Sequence, residues 1–595
     1  MAKGAWAGAA LIVSLAGLLV ALLLDRLAPF PAADVARGSE EAFASGLHLR
    51  EFTGPRKTPE RWTSGRVLVR FSNLPAGPRI LEVALHQQRS PVAIAVDGVI
   101  VGSLAPQAAH AEFALPASPR SAVTVELRGE TFAAGNARRL GAHFDRVALR
   151  HERGGLPPAG LLLAMLAVPL GVIAAARFSG SGPKAAGALA LSSLAACAAL
   201  LWPMGLLRSS YATGLPSLIL GSAALAFGFA RWRAARAGAL AAPWAFASLL
   251  CALLVQGVAM TSPMVVMSDA VLHANKLLQV AGGDFFPVSL TQHARPFQFP
   301  YGVSFYALLR PLLPFGFDVV SLVRTGAGIS GALSAAALFV IGERAPRRAA
   351  LAVVLLQTLP ISCDSFAYGN LSNIFGQSVT LAFLGWWLLP RGGAGLGALL
   401  LLVAALAHLS SLIVLAVLVP ILLLLERKAL PTRRVRVLAL GLAALLVALY
   451  YAHFIPLIGE QLPRLLEGGG SGRRALGVFP AMLSQLEDAL GRWGWPATLL
   501  AALGLPRPSR GEPDRMLTAV WCMGAALAIV AALSPIEVRY LYAMGFAVSL
   551  AASNGVARLR EKGRLLRFAA WGLVAWQAFL ALQGIREIVV ERYRL

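Results

Sequence analysis

The pattern of apolar and polar positions divides the chain into three kinds of segment. Residues 5 to 25 are apolar almost throughout. A run of about 20 such residues crosses about 30 Å of hydrocarbon and is longer than the apolar part of a signal peptide. We therefore predict a retained transmembrane anchor within residues 1 to 30.

Residues 35 to 153 show a second pattern, in which polar residues return and apolar positions alternate with polar ones. The clearest case joins 93–96 to 99–101 through Asp97-Gly98, a two-residue connection that is typical of a β-hairpin. Several such strands at close spacing predict an extramembranous β-sandwich after the first helix. The other alternating stretches are 66–71, 80–85 and 122–127.

From residue 158 onward, apolar segments follow one another with short polar or basic stretches between them. One of them, 395–425, is long enough for two helices in a tight hairpin. Together they predict a mainly α-helical, polytopic membrane protein with about 13 to 15 transmembrane helices. The segments are 158–176, 184–202, 214–230, 238–260, 318–341, 349–362, 371–389, 395–425, 435–456, 494–505, 516–534, 540–557 and 568–585.

Composition supports a membrane protein and excludes several other classes. Hydrophobic residues make up 57% of the 595 positions, charged residues 14%, and the mean hydropathy is +0.67. A disordered, collagen-like or disulfide-stapled chain needs low hydrophobicity, a glycine period or dense cysteine, so none of these fits. A single soluble core is excluded as well. The four cysteines show no CxxC or Cys/His spacing, and we interpret them as packing residues.

The formal charge of +24 does not indicate a nucleic-acid partner, because the basic residues form clusters between apolar runs. The positive-inside rule places such clusters in the cytoplasm. The number of crossings between neighbouring clusters is then even, provided that 302–316 lies along the membrane surface. This path puts the N-terminus inside and the β-sandwich outside. The clusters are Arg231/Arg233/Arg236, Arg344/Arg347/Arg348, Arg427/Lys428/Arg433/Arg434/Arg436, Arg507/Arg510/Arg515 and Arg558/Arg560/Lys562/Arg564/Arg567.

The same path makes five loops open on the outer face, at 261–300, 362–370, 408–411, 457–493 and 534–539. Polar residues in these loops are the candidates for chemistry because they share one compartment. They are Asp269, His273, Lys276, Asp284, Asp364, Tyr368, Asn370, His408, His453, Glu537 and Arg539.

The segment 268–276 has the pattern of a short amphipathic helix. Asp269, His273 and Lys276 stand at positions i, i+4 and i+7, which lie on one helix face. A carboxylate next to an imidazole and near an ammonium is suited to act as a general base. In the alternative interpretation, Asp269 caps the helix and His273 packs beneath it.

Two arginines are candidates for binding an anion. Arg324 lies about two turns into the apolar segment 318–341, a depth at which it either snorkels outward or meets an anion. Arg539 stands where an outer-face span begins, as a phosphate ligand or as a membrane anchor with its tyrosine neighbours. The sequence 326–331 matches GxGxxG, but it lies inside a span, so we interpret its glycines as helix-packing residues. No GxxxxGK[ST] sequence occurs, which argues against an ATP-driven transporter.

Several short motifs in the outer loops belong together: Asp269-x-x-x-His273, Phe299-Pro-Tyr-Gly-Val-Ser-Phe-Tyr306, Tyr368-Gly-Asn-Leu-Ser-Asn373, Ala407-His408 and Arg539-Tyr-Leu-Tyr542. They resemble the polytopic GT-C glycosyltransferases, in particular bacterial members described as 6-pyruvoyl-tetrahydropterin-synthase-related membrane proteins. The resemblance covers roughly residues 238 to 560. The outer domain, with Arg61-Trp-Thr63 near its start, is similar to jelly-roll modules that some such proteins insert after their first helix.

The resemblance implies a bacterial inner-membrane enzyme that moves a sugar from a polyprenyl-phosphate carrier to an acceptor hydroxyl on the periplasmic face, with inversion. Asp269 maps onto the acid that activates the acceptor, and His273 would orient it. Arg539 or Arg324 would hold the donor phosphate. Many members carry two adjacent acids, whereas Ser268 precedes Asp269 here, so assistance by a divalent metal stays open. Further substrate-binding residues would be Lys276, Tyr368, Asn370 and His408.

On this resemblance the chain divides into the anchor 1–30, a periplasmic β-sandwich 35–153, accessory helices 158–235 and a GT-C-like catalytic domain 238–595. The outer loops 261–317 and 457–493 belong to the last of these. The implied partners are membrane lipids, the lipid-linked donor and an acceptor that is a glycan, a lipid or a protein. Two alternatives remain: a transporter or flippase for lipid-linked glycan, and a non-catalytic envelope assembly protein.

Overall fold

A computed structural model describes most of the chain. It shows a β-sandwich and a set of apolar helices, as the sequence predicts. The described residues are 2–27, 30–36, 43–47, 51–53, 58–106, 108–133, 139–151, 157–201, 209–263, 265, 269–290, 298–315, 318–342, 344–367, 369–388, 393–425, 433–460, 480, 487–491, 494–505, 518, 521–522 and 542–588.

The β-sandwich follows the first helix and consists of two antiparallel sheets. The four-stranded sheet has the order β1-β13-β6-β9, and the five-stranded sheet has the order β2-β5-β10-β7-β8. Outside these two sheets, β3 pairs with β4 and β11 pairs with β12. The strands are β1 Ala32–Asp34, β2 Ala44–Leu47, β3 Glu51–Thr53, β4 Thr58–Glu60, β5 Thr63–Phe71, β6 Gly77–His86, β7 Val92–Val96, β8 Val99–Leu104, β9 His110–Ser118, β10 Val123–Arg128, β11 Phe132–Ala133, β12 Arg139–Leu140 and β13 His143–His151.

Alternation of apolar residues builds the core of this sandwich. In β6, Leu81, Val83 and Leu85 are buried while their neighbours are more exposed, because successive side chains of a strand point to opposite faces. The predicted hairpin is confirmed: β7 pairs with β8, and Asp97 and Gly98 connect them with φ of 49° and 87°. Two positive φ values are the signature of a type I′ turn.

Helices make up the rest of the described chain. They are α1 Ala2–Leu27, α2 Ala159–Phe178, α3 Pro183–Leu201, α4 Ser210–Ala237, α5 Ala242–Ala252, α6 Ala270–Ala281, α7 Ser304–Leu309, α8 Val319–Gly342, α9 Pro346–Gln357, α10 Pro360–Ala367, α11 Leu371–Leu388, α12 Gly393–Ala405, α13 Leu409–Leu425, α14 Arg433–Ala452, α15 Trp495–Leu503, α16 Met544–Glu561 and α17 Arg564–Arg586. A π-helical turn, Leu253–Ala259, continues α5, and a short hairpin pairs β14 Val288–Leu290 with β15 Gln298–Pro300.

Seven of the described helices are long and apolar enough to span a membrane: α1, α2, α4, α5 with its continuation, α8, α14 and α17. Helices α9 and α10 meet at an angle of 44° and form one further broken span or a re-entrant loop. Three others, α3, α12 and α13, are apolar but shorter. The chain is therefore a multi-pass membrane protein with an inserted β domain, as predicted. The predicted span 516–534 lies almost entirely outside the described residues.

Two further sequence predictions concern the course of the chain. The segment 395–425 does form a helical hairpin, because α12 ends at Ala405 and α13 begins at Leu409. The segment 304–315 is helical but short, and at 1.5 to 2 Å per residue it extends only about 20 Å. It is too short to cross, as the even count of crossings requires.

The GxGxxG sequence inside α8 packs helices together, which confirms its interpretation. A Cβ atom at Gly328 would lie 2.8 Å from the backbone oxygen of Gln256, and one at Gly331 would overlap the Gln256 side chain. The glycines therefore let α8 approach the π-helical turn closely.

The described residues form two compact units. The first comprises described residues up to 227 together with 262, 263 and 265, and the second comprises 228–261 and the described residues from 269 onward. The candidate site lies within the second unit.

Candidate active site

Asp269 is the residue immediately before α6, and its carboxylate makes no capping hydrogen bond. Asp318 holds the equivalent position before α8, and there Oδ2 accepts a hydrogen bond of 2.8 Å from the backbone N–H of Ser321. The two aspartates occupy equivalent positions before their helices, but only the side chain of Asp318 caps its helix. The alternative interpretation, in which Asp269 caps its helix, therefore does not hold for the side chain.

His273 lies one turn further along α6 and is almost completely buried. Its Nδ1 lies 2.6 Å from the hydroxyl of Tyr306, and its Nε2 lies 2.9 Å from the backbone oxygen of Gly369. Both ring nitrogens are thus engaged by these two residues.

Gly369, whose backbone oxygen contacts Nε2 of His273, also lies against Asp269. It has a φ of +75°, which L side chains rarely adopt, and it precedes α11. A Cβ atom on Gly369 would lie 2.7 Å from the backbone nitrogen of Asp269 and 3.1 Å from its Cβ. The turn therefore rests directly on the backbone of Asp269, and only glycine fits there.

Tyr306, the last residue of one sequence motif, is fully buried in α7. Burial raises the pKa of Tyr306 well above its ordinary value, and the nearby Tyr301 and Asp269 raise it further. The phenol therefore stays protonated at any physiological pH and remains a hydrogen-bond donor. Its ring stacks on that of His273, with centroids 6.0 Å apart.

His408 joins the same cluster from the tip of the α12–α13 hairpin. Its ring packs edge-on against Tyr301, with centroids 5.5 Å apart. Its Nδ1 accepts a hydrogen bond from the backbone N–H of Ser410 and lies 2.7 Å from the hydroxyl of that residue. Ser410 in turn donates to Oδ1 of Asn373, which also accepts from Nε2 of Gln377. A buried polar chain thus runs from the tip of the α12–α13 hairpin into α11.

Lys276 shares the buried face of α6 but is bound elsewhere. Its ammonium donates to the backbone oxygen of Val288 and to Oε1 of Gln279, at 2.5 and 3.0 Å. Burial lowers the pKa of Lys276, and Asp284 opposes that shift. Lys276 therefore fastens the β14–β15 hairpin to α6, and two of its three donor hydrogens are committed to that contact.

The other predicted substrate ligands are distributed as follows. Asn370 is buried at the start of α11, where its backbone N–H bonds to Ser365. Arg324 is half-buried in α8, a helix that packs against α6. Tyr368 and Arg539 lie outside the described residues. Asp269, His273 and His408 therefore belong to one cluster, with Asn370 next to Gly369 in the chain.

Sequence reasoning missed the residues that connect this cluster. Tyr301, Tyr306, Gly369 and Asn373 all stand inside motifs that carried the resemblance, yet no role could be given to them. The useful signal was the aromatic content of the 299–306 motif and the glycine of the 368–373 turn.

The metal question gains no support from the described part of the chain. There, no group of three or more His, Cys, Asp or Glu residues is placed to hold a metal ion.

Comparison with known proteins finds a similarity among solved structures. No protein-family model matches the sequence, and no curated protein matches it. Among solved structures, the chain is similar to the crystal structure of ArnT from Cupriavidus metallidurans bound to undecaprenyl phosphate, with a TM-score of 0.43 and 15% sequence identity. The match covers 59% of this chain and 77% of that chain.

Proposed function

We propose that this chain is a bacterial inner-membrane glycosyltransferase. It transfers a sugar from a polyprenyl-phosphate carrier to an acceptor hydroxyl on the periplasmic face, with inversion at the anomeric carbon. Asp269 acts as the general base. The proposal rests on the chain's own residues and on the GT-C resemblance of their motifs.

The observation that carries the proposal is the contrast between Asp269 and Asp318. Both precede an α-helix, but only Asp318 uses its carboxylate as a cap. The positive end of the α6 dipole favours the ionised form of Asp269, as a base requires. Asp269 also lies close enough to the buried Tyr306 to raise the pKa of that phenol, and a carboxylate positioned in such a polar cluster is suited to take a proton from a substrate.

The proposed chemical step is a displacement at the anomeric carbon of the donor sugar. The Asp269 carboxylate takes the proton of the acceptor hydroxyl as its oxygen forms a bond to the anomeric carbon. On the opposite side of that carbon the bond to the phosphate oxygen breaks, and the polyprenyl phosphate leaves with the electron pair. Attack opposite to the leaving group inverts the anomeric centre.

The leaving phosphate gains charge in this step and needs a cation. We assign that role to Arg324, with Arg539 as the second candidate, because a guanidinium pairs with two phosphate oxygens at once. His408, Asn370 and Tyr368 are proposed to contact the sugar or the acceptor. Lys276 contributes to this site by holding the hairpin that borders α6.

The test measures release of undecaprenyl phosphate from a panel of radiolabelled undecaprenyl-phosphate-linked monosaccharides, with purified full-length protein in lipid nanodiscs and an envelope extract as acceptor. Asp269→Asn should lower turnover by about 100-fold or more, because positioned bases typically contribute 10² to 10⁴-fold. Asp318→Asn is the matched control, since asparagine also caps helices, and it should keep full turnover. Equal turnover of wild type and Asp269→Asn would refute the proposal.

The same experiment separates the enzyme from the two alternatives. A transporter or flippase would move the labelled lipid across a proteoliposome membrane without breaking its sugar–phosphate bond. An assembly protein would do neither. Intact lipid in every reaction with wild-type protein therefore rejects the enzyme.

A further inference from the structure

We infer that Tyr306 is a positioning residue for Asp269, which it controls through His273 and Gly369. This inference rests on the proposed function of Asp269. Tyr306 and His273 are both almost completely enclosed, with 0% and 2% of their surface exposed, so a substrate does not touch them. Whatever they contribute to transfer must reach the substrate through a third group.

The direction of each hydrogen bond in the chain follows from its acceptors. The carbonyl oxygen of Gly369 only accepts, so Nε2 of His273 must carry the hydrogen. In the neutral imidazole Nδ1 is then a bare acceptor, and the Tyr306 hydroxyl donates to it. Tyr306 thereby selects the tautomer of His273 that carries its hydrogen on Nε2, and only this neutral tautomer can donate to the backbone oxygen of Gly369.

Gly369 transmits the effect of its hydrogen bond with His273 to Asp269. The turn lies against Asp269, since a Cβ atom on Gly369 would meet the backbone nitrogen and the Cβ of Asp269, and glycine has no side chain with which to anchor the turn. The described side-chain contact that fixes its carbonyl is the one from His273. If the carbonyl swings away, the support behind the Asp269 backbone moves with it, and the carboxylate moves relative to the acceptor.

The arrangement differs from ordinary core packing in one respect. The rings of Tyr306 and His273 also contact Tyr301 and Phe305, and those contacts survive removal of the Tyr306 hydroxyl. The hydroxyl also forms hydrogen bonds with Tyr301 and Ser372, and its task in the proposed series of contacts is to keep Nδ1 of His273 unprotonated. Tyr306→Phe therefore deletes the tautomer control with little change of shape.

The first experiment compares Tyr306→Phe with Tyr451→Phe in the undecaprenyl phosphate release assay. Tyr451 is a partly buried tyrosine on α14 whose hydroxyl bonds to the backbone of Ala405, and it serves as the matched control. We expect Tyr306→Phe to lower kcat by about 10- to 100-fold, since a displacement of about 1 Å costs up to 100-fold. KM for the donor lipid should stay within about twofold, and Tyr451→Phe should change neither value.

Should the Tyr306→Phe protein fail to fold, a pair of substitutions at His273 tests the same series of hydrogen bonds. Glutamine reaches the Gly369 carbonyl with an N–H donor, whereas leucine of similar size offers none. We expect His273→Gln to retain at least about tenfold more turnover than His273→Leu. Equal activity of the two variants would overturn the inference, because a merely structural role does not depend on the donor.

A double-mutant cycle distinguishes failure of the inference from failure of the proposed function. If Tyr306 acts through Asp269, Tyr306→Phe should cost nothing further in the Asp269→Asn protein. An undiminished effect in that background overturns the inference and leaves the base assignment intact. Wild-type turnover in Asp269→Asn alone rejects the proposed function, and the inference with it.

Discussion

Asp269 and Asp318 show how much of the site is decided at the scale of single residues. Each precedes a helix, and helix-capping preferences apply equally to both. What distinguishes them is Gly369, which occupies the space behind Asp269. A hydrogen bond from His273, 96 positions away in the sequence, holds Gly369 in that position. A contact between residues so far apart in the sequence leaves no local pattern. The sequence therefore predicts Asp269 as a candidate acid, but it does not predict that Gly369 lies against it.

The β-sandwich carries a second residue-scale feature with a measurable consequence. Hydrogen bonds from Arg128, and then from Arg66, hold the pKa of Glu126 to about 2, below the ordinary value near 4.3. A depressed carboxyl pKa contributes stability that is present above the unfolded value and is lost as the pH falls towards 2. The β-sandwich should therefore lose stability as the pH falls from about 4.3 to about 2.

The measurement for this prediction is hydrogen exchange of strands β5 and β10, which Glu126 and Arg66 connect. Wild type and Glu126→Gln are compared at each pH between 6 and 2, so that the intrinsic effect of pH on exchange cancels. We expect the protection of wild type to exceed that of Glu126→Gln at pH 6 and the difference to vanish near pH 2. Glu130→Gln, at an exposed position, should match wild type throughout. A difference that persists at pH 2 contradicts the assignment.

At the scale of elements, α15 and α16 are joined by two facing glycines. A Cβ atom on Gly504 would lie 1.8 Å from the oxygen of Ala551, and one on Gly555 would lie 2.0 Å from the oxygen of Leu500. The clashing atoms belong to backbone, which cannot rotate away. Close approach through small residues is how membrane helices gain packing energy.

Gly555→Ala should therefore lower the free energy of unfolding by about 1 to 3 kcal/mol, the typical cost of overpacking. The control is Gly572→Ala in the exposed part of α17, where no atom lies within 4 Å of the added Cβ. That change should raise stability by about 0.5 to 1 kcal/mol, because alanine restricts the unfolded chain more than glycine. Thermal unfolding in one detergent compares the two variants. An unchanged midpoint for Gly555→Ala would show that the helices separate without cost.

Helix α6 shows what hydrophobic periodicity does and does not predict for an element. The spacing of Asp269, His273 and Lys276 predicts a helix there, and the helix is present. Its buried face holds His273 and Lys276 beside Leu277 and Val280, whereas Val271 and Leu278 are each 51% exposed. Periodicity identifies two faces, but in a membrane protein the environment decides which face turns inward.

At the scale of the whole molecule, the sequence predicts the order of parts well. An anchor helix, a β-sandwich and a long series of apolar helices follow each other in the structure as the hydropathy pattern indicates. The α12–α13 hairpin is confirmed, whereas the 304–315 segment is too short to span a bilayer and its position along the membrane surface stays a prediction. The broken α9–α10 pair was not predicted, since a bend at Thr358 and Leu359 leaves hydropathy unchanged.

The sidedness of the molecule determines whether the proposed chemistry can occur. Asn275 is exposed on α6, two residues beyond His273, and Arg344 is exposed just after the far end of α8. Since α8 is long enough to span the membrane, the two positions should face opposite compartments. The positive-inside rule puts Arg344 in the cytoplasm and therefore Asn275 outside.

Labelling with a membrane-impermeant maleimide tests this central claim most directly. Asn275→Cys and Arg344→Cys are placed separately in a protein whose four native cysteines are replaced, and expressed in bacterial cells with a permeabilised outer membrane. We predict that Asn275→Cys reacts while the inner membrane is intact and that Arg344→Cys reacts only after lysis. The opposite result would place Asp269 in the cytoplasm, away from any periplasmic acceptor, and would contradict the account.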